Sequence, residues 1–280
     1  MSGQLASRYA HAFVTGASAG LGRAFVEMLL AEGVRVWGTA RDVGRLTELA
    51  MRYPATFTAV ALDLGEPEAA EAAFLRAANS AGGSFDLLVN NAGYGVFGEF
   101  AETDFARWQA QLDQMLLATM RLAHVALRGM RQRGRGCIVN VASLATDFPL
   151  PFMSGYNVAK AGLSALSESL IFETRGSGVS VVDFRPGDYR TDFNQAMSTA
   201  SSAANLSHPK ARRAWRALER NLDAAPPPSR AAGDLRRVLL RGRSGTVRSG
   251  GFFQAKLAPL LARLVPASVT RAAAARYFDL

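Results

Sequence analysis

Apolar residues along this chain gather in short dense runs separated by longer, more open stretches. The runs at 12–14, 34–37, 57–60, 87–89, 137–141 and 179–182 are rich in Val, Leu, Ile, Phe and Ala. Their length and composition predict strands buried on both faces. Stretches such as 21–30 and 161–172 repeat apolar residues at spacings of three and four, which predicts helices resting one face on a sheet. Strands alternating with helices in this way need parallel pairing and right-handed crossovers. The predicted fold is α/β: a single doubly wound parallel-sheet Rossmann domain over residues 1–280, with helices on both faces.

The rhythm loosens after residue 192. Residues 194–206, rich in Ser, Ala and Asn, read as a mobile excursion, and Pro226-Pro227-Pro228 reads as a stiff connector. A last strand is predicted at 246–248. A helical stretch follows at 252–264, with Leu257, Leu260, Leu261 and Leu264 on one face.

The net charge of +9 first suggests nucleic acid, but the charge is confined to one region. Residues 205–280 carry fifteen Lys and Arg against four Asp and Glu, while the first 204 residues are slightly acidic. No zinc-finger, helix-turn-helix or RNA-binding signature accompanies these arginines, so no nucleic-acid partner is expected. A solvated helical face is the simplest reading of the basic tail; peripheral membrane contact is the alternative. The one cysteine, Cys137, and the dispersed His11, His124 and His208 argue against disulfides, a metal site or a Ser-His-Asp triad. No apolar run reaches eighteen residues and the start lacks a secretory layout, so a soluble cytoplasmic protein is expected.

The chemistry begins just after the first strand, at Thr15-Gly16-Ala17-Ser18-Ala19-Gly20-Leu21-Gly22. Glycines permit a tight strand-to-helix turn, and the unpaired N–H groups of the helix start attract an anion. Gly16, Ser18, Gly20, Leu21 and Gly22 are therefore candidates to hold a pyrophosphate. The adenosine ribose of such a ligand would reach the end of the second strand, at Ala40-Arg41-Asp42. Arg41 there suits a 2′-phosphate, and no acid occupies position 40 to oppose one, so NADP(H) is expected over NAD.

Tyr156 and Lys160 stand four residues apart, a spacing that puts both on one face of a helix. Only three lysines and six tyrosines are present, so chance supplies about 0.06 such pairs. A neighbouring ammonium is expected to stabilise phenolate and to lower the tyrosine pKa. Ser143 follows a predicted strand at its carboxyl end, where open parallel sheets bind ligands.

Taken together these residues resemble the short-chain dehydrogenases/reductases over about residues 10–193. The resemblance is carried by T-G-x-x-x-G-x-G at 15–22, Asp63-Leu64, Asn90-Asn91-Ala92-Gly93, Ser143, Tyr156 with Lys160, and Arg185-Pro186-Gly187 followed by Thr191. It implies that Asp63 and Leu64 meet the adenine, that Asn91, Ala92 and Gly93 line the cofactor groove, and that Pro186, Gly187 and Thr191 flank the nicotinamide. It further implies a catalytic trio of Ser143, Tyr156 and Lys160 that interconverts a carbonyl and a secondary alcohol. Lys160 would also bind the nicotinamide ribose. Residues 193–225 would cover the substrate, and the protein would form a homodimer or homotetramer.

One position departs from the family. An asparagine associated with a water relay to the lysine usually stands where this chain has Met115, in the predicted helix 105–127. Methionine cannot hold a relay water, and Gln111 or Gln114 are the candidates to compensate. The departure keeps open an NADP-binding regulatory or interaction protein with little turnover. Phe97, Phe100, Phe148, Leu150, Phe152 and Phe193 lie beside the motifs and suggest an apolar pocket. The basic helical tail, 251–280, is similar to bacterial members resembling hydroxysteroid and retinol dehydrogenases, which implies a lipophilic substrate.

Overall fold

The computed structural model describes residues 4–191, 197, 206, 208–262 and 264–280. Phe193 and most of the 194–206 excursion lie outside the described residues, as does the first part of the expected substrate cover.

Among the described residues, seven strands form one parallel sheet. They are β1 (His11–Val14), β2 (Arg35–Ala40), β3 (Phe57–Ala61), β4 (Leu87–Asn90), β5 (Gly136–Val141), β6 (Val179–Pro186) and β7 (Gly245–Ser249). The spatial order is β3-β2-β1-β4-β5-β6-β7, so the chain reverses its direction of travel across the sheet between β1 and β4. Open sheets leave a crevice at such a reversal, beyond the carboxyl ends of the strands.

Helices cover both faces. On one, α1 (Gly20–Ala31) packs beside α8 (Pro228–Arg241) over Val14, Val36, Val139 and Phe184. On the other, α3 (Pro67–Ser80) and α5 (Ala118–Arg133) press Phe74, Leu122 and Met130 onto Phe13, Leu88 and Ile138. Alternate strand residues thus enter opposite cores, which explains runs that are apolar on both faces. Chain chemistry sets several ends: Pro67 and Pro228 open α3 and α8, and Gly134 and Gly242 close α5 and α8 in the left-handed region.

The remaining helices are α2 (Thr47–Arg52), α4 (Phe105–Leu112), α6 (Ser154–Glu173), α7 (Pro209–Asp223), α9 (Ala258–Ala262) and α10 (Ala267–Tyr277). Two predicted helices are interrupted. A π turn at Asp113–Leu117 separates α4 from α5, and a second at Phe253–Leu257 precedes α9. A third apolar cluster, containing Trp215 and Leu218 of α7, Phe97, Tyr156 and Phe278, lies beyond the strand ends.

Candidate active site

The turn after β1 is shaped by what its glycines allow. Gly16 and Gly20 have φ of +68° and +54°, and a Cβ on Gly22 would collide with the Gly16 carbonyl oxygen. Ala19 at the N-cap of α1 offers no side-chain acceptor, so the first N–H groups stay available to an anion. The turn is fastened from β4: Thr15 Oγ1 accepts from the N–H groups of Asn91 and Ala92 at 2.9 and 3.0 Å. Asn91 Nδ2 donates back to the Thr15 carbonyl at 3.0 Å. Thr15 thus ties the glycine turn to the Asn91-Ala92 segment after β4.

These groups line one wall of a cavity of about 1200 Å³ at the strand ends. Gly16, Ser18, Gly20, Leu21, Gly22, Arg41, Asp63, Leu64, Asn91, Ala92 and Gly93 all face it, as do Pro186, Gly187 and Thr191. At its β2 end Arg41 is exposed, with Arg45 beside it in the cavity wall. The neighbouring acids are otherwise engaged. Asp42 accepts from the Gly44 N–H at 2.9 Å, and Glu48 pairs with Arg23 at 2.7 Å. Arg41 makes no ion pair among the described residues. The turn too tight for a side chain, the uncapped helix start and this open guanidinium form a cradle that fits a dinucleotide.

Ser143, Tyr156 and Lys160 meet at the opposite end of the cavity, and all three are buried. Ser143 leaves the end of β5 and caps the short turn Leu144–Thr146, accepting from the Ala145 N–H at 3.0 Å while hydrogen-bonding the Tyr156 hydroxyl. The ammonium of Lys160 lies 5.8 Å from the Tyr156 ring centre and donates to the Val141 carbonyl at 2.6 Å. Burial draws Lys160 down to about 8, and the charge of Asp183 resists that fall. Asp183 is itself held by Ser164 and Arg185, at 2.6 and 2.7 Å.

The tyrosine differs from expectation. Its pKa is pushed up to about 12, because burial outweighs the Ser143 hydrogen bond and the Asp188 carboxylate adds to the rise. The lysine spends its shortest contact on the β5 carbonyl instead of lowering the phenol. Tyr156 is therefore protonated at neutral pH.

Met115 sits in the first π turn, buried, with its methyl group close to Gly93. Neither glutamine takes the expected relay place. Gln111 donates to the Tyr94 carbonyl at 2.8 Å, and Gln114 lies over Gly65 near the adenosine end. The aromatic wall also needs correcting. Phe148 and Leu150 line the cavity, but Phe97 and Phe152 stack in the third cluster, and Phe100 is exposed against Trp108. Their places are taken by Leu261, Val265 and Val269 of the tail, which follow no motif. Asp188 was also missed, although it directly follows Pro186-Gly187; it accepts from Gln254 at 2.7 Å and from Tyr277 at 2.9 Å. Among the described residues no cluster of His, Cys, Asp and Glu could hold a metal ion.

The family model for short chain dehydrogenase matches residues 10–202. The chain is a short-chain dehydrogenase. Among relatives of this dehydrogenase, the 3-oxoacyl-(acyl-carrier-protein) reductase FabG of Vibrio harveyi is 33% identical over 197 residues, covering 70% of this chain and 80% of its own. A short-chain dehydrogenase from Streptomyces avermitilis superposes with a TM-score of 0.78 at 27% identity, over 96% of both chains. A metagenomic short-chain oxidoreductase in complex with NADP gives a TM-score of 0.67 at 29% identity, over 85% of this chain and 96% of its own. Membership makes this dehydrogenase an oxidoreductase of carbonyl and alcohol groups that uses a nicotinamide cofactor.

Proposed function

We propose that this dehydrogenase uses NADP(H) to interconvert a lipophilic ketone and its secondary alcohol, with Ser143, Tyr156 and Lys160 as catalytic residues. The observation carrying this reading is that the trio and the glycine cradle line one cavity. When bound, the nicotinamide supplies or accepts the hydride. Ser143 and Tyr156 hydrogen-bond the substrate oxygen, opposing the negative charge that develops there during reduction. Tyr156 delivers its hydroxyl proton to that oxygen; a phenol near 12 remains protonated at neutral pH, which suits the reductive direction. Lys160 holds the ribose end and faces the phenolate left behind.

Arg41 supports the NADP preference, as does the NADP complex among the solved relatives. The apolar wall of Phe148, Leu150, Leu261, Val265 and Val269 supports a lipophilic substrate, and the 3-oxoacyl reductase supports a ketone on an acyl chain. We read the chain as one domain in which 193–225 covers the substrate. Exposed Met120, Val158 and Phe172 on α5 and α6 support assembly into a homodimer or homotetramer. Consumption of NADPH across aliphatic, aromatic and steroid ketones tests the reading; NADPH binding with no consumption of any of them defeats it.

Two further outcomes follow. Arg41→Ala removes a charge-assisted contact worth about 1.5–3 kcal/mol, so the NADPH-over-NADH preference in kcat/KM falls about tenfold to a hundredfold. An unchanged ratio would clear Arg41 of this role. Reduction also slows as pH rises through about 8, where Lys160 loses its proton. Between about 8 and the ordinary lysine value of 10.5 the unfolded chain binds more protons at this site than the folded one. The contribution of Lys160 to stability therefore rises with pH over that window. A rate that drops while the melting temperature holds identifies the lysine; parallel losses would indicate unfolding.

A further inference from the structure

The tail presents its side chains in an unusual sense. A surface helix ordinarily turns its large apolar residues inward. Here the small residues Ala255, Ala258 and Ala262 are buried or half-buried, while Phe252 and Leu264 are 73% and 76% exposed. Phe253, Leu260, Leu261 and Val269 also stand out toward solvent. This strip is fixed at both ends. Gln254 bonds Asp188 at its start, and at its finish Tyr277 bonds the same carboxylate while Phe278 is buried with Trp215. Exposure on a doubly anchored segment marks an interaction surface.

Charge indicates the occupant. Residues 251–280 contain one lysine and three arginines against a single acid, Asp279, which is paired with Arg220. Lys256, Arg271 and Arg276 are exposed. A two-fold contact between copies would set these like charges against each other, whereas anionic headgroups would be drawn to them. Among the described residues no helix is long and apolar enough to cross a membrane, so the fit is to a surface. Leu261, Val265 and Val269 moreover belong both to the exposed strip and to the cavity wall.

We propose that residues 251–280 dock this dehydrogenase on an anionic lipid bilayer, and that its lipophilic substrate passes from that bilayer into the cavity between Leu261, Val265 and Val269. The docking stands on the strip itself; the route rests on the lipophilic-ketone reading.

The test uses the full chain with phosphatidylcholine vesicles, with and without phosphatidylserine, at low and high salt. The protein should sediment with the phosphatidylserine vesicles at low salt, and about tenfold or more weakly in the other conditions. Leu260→Glu with Leu264→Glu, both outside the cavity wall, should abolish binding, and Lys256→Glu with Arg271→Glu should remove its salt-sensitive part. An NADPH titration unchanged from wild type shows that each variant is folded. Absence of wild-type sedimentation at low salt overturns the docking, as does full binding by the leucine variant or its dissociation from a wild-type oligomer. For the route, a long-chain ketone embedded in vesicles should be reduced about tenfold or more slowly by the leucine variant, with a water-soluble ketone reduced equally by both. Equal rates on both ketones overturn the route. No reduction of either by wild type overturns the ketone reading, with the sedimentation result still deciding the docking.

Discussion

Tyr156→Phe should lower kcat for ketone reduction by about a hundredfold to ten-thousandfold, the usual contribution of a positioned general acid. The ring is buried in the cluster that holds Phe97 and Trp215, and phenylalanine keeps that packing. What disappears is the hydroxyl that hydrogen-bonds Ser143 and carries the proton. Because phenylalanine leaves the glycine turn after β1 untouched, NADPH affinity should change little, and stopped-flow binding beside steady-state kinetics separates the two effects. A variant that keeps more than about a tenth of the rate would remove Tyr156 from its assigned part.

Gly22→Ala should act on the cofactor instead. Its new methyl group would collide with the backbone carbonyl of Gly16 and lie 2.5 Å from Asn91 Nδ2, and backbone cannot swing aside as a long side chain can. Opening the turn costs about 1–3 kcal/mol of stability, as overpacking generally does. It also pulls the α1 N–H groups from the phosphates, so NADPH should bind about a hundredfold more weakly. Gly233→Ala supplies the contrast: it lies inside α8 with open space around it, and should stabilise the fold by about 0.5–1 kcal/mol. Fluorescence titration and thermal melting of both variants check the pair. Equal NADPH affinity in the two would show that the cradle does not grip the cofactor.

The sheet was legible because buried parallel strands leave dense apolar runs, and β4, β5 and β6 fall where those runs lie. Tyr156 and Lys160 stood out for a different reason: with so few lysines, one placed four residues after a tyrosine is conspicuous. Neither π turn was, since an inserted residue at Asp113–Leu117 or Phe253–Leu257 leaves the apolar spacing almost unchanged. The direction of the Tyr156 shift was hidden because it depends on burial supplied by α7 and the tail, remote in the chain. For the same reason Phe97 looked like pocket lining from its place beside a motif, when its neighbour in space is Trp215, with ring centres 5.0 Å apart.

The strand order has a consequence for how the protein becomes active. Parallel neighbours cannot be joined by tight hairpins, and β1 lies between β2 and β4, so pairing waits for long loops to close. The nucleotide cradle draws on β1, α1 and the end of β4, while the proton donor draws on β5 and α6. Both come together only once β1, β4 and β5 have paired and α6 has docked on them. Nucleotide added during refolding should therefore bind only after that pairing, raising the melting point roughly with the logarithm of its concentration without hastening the earlier steps.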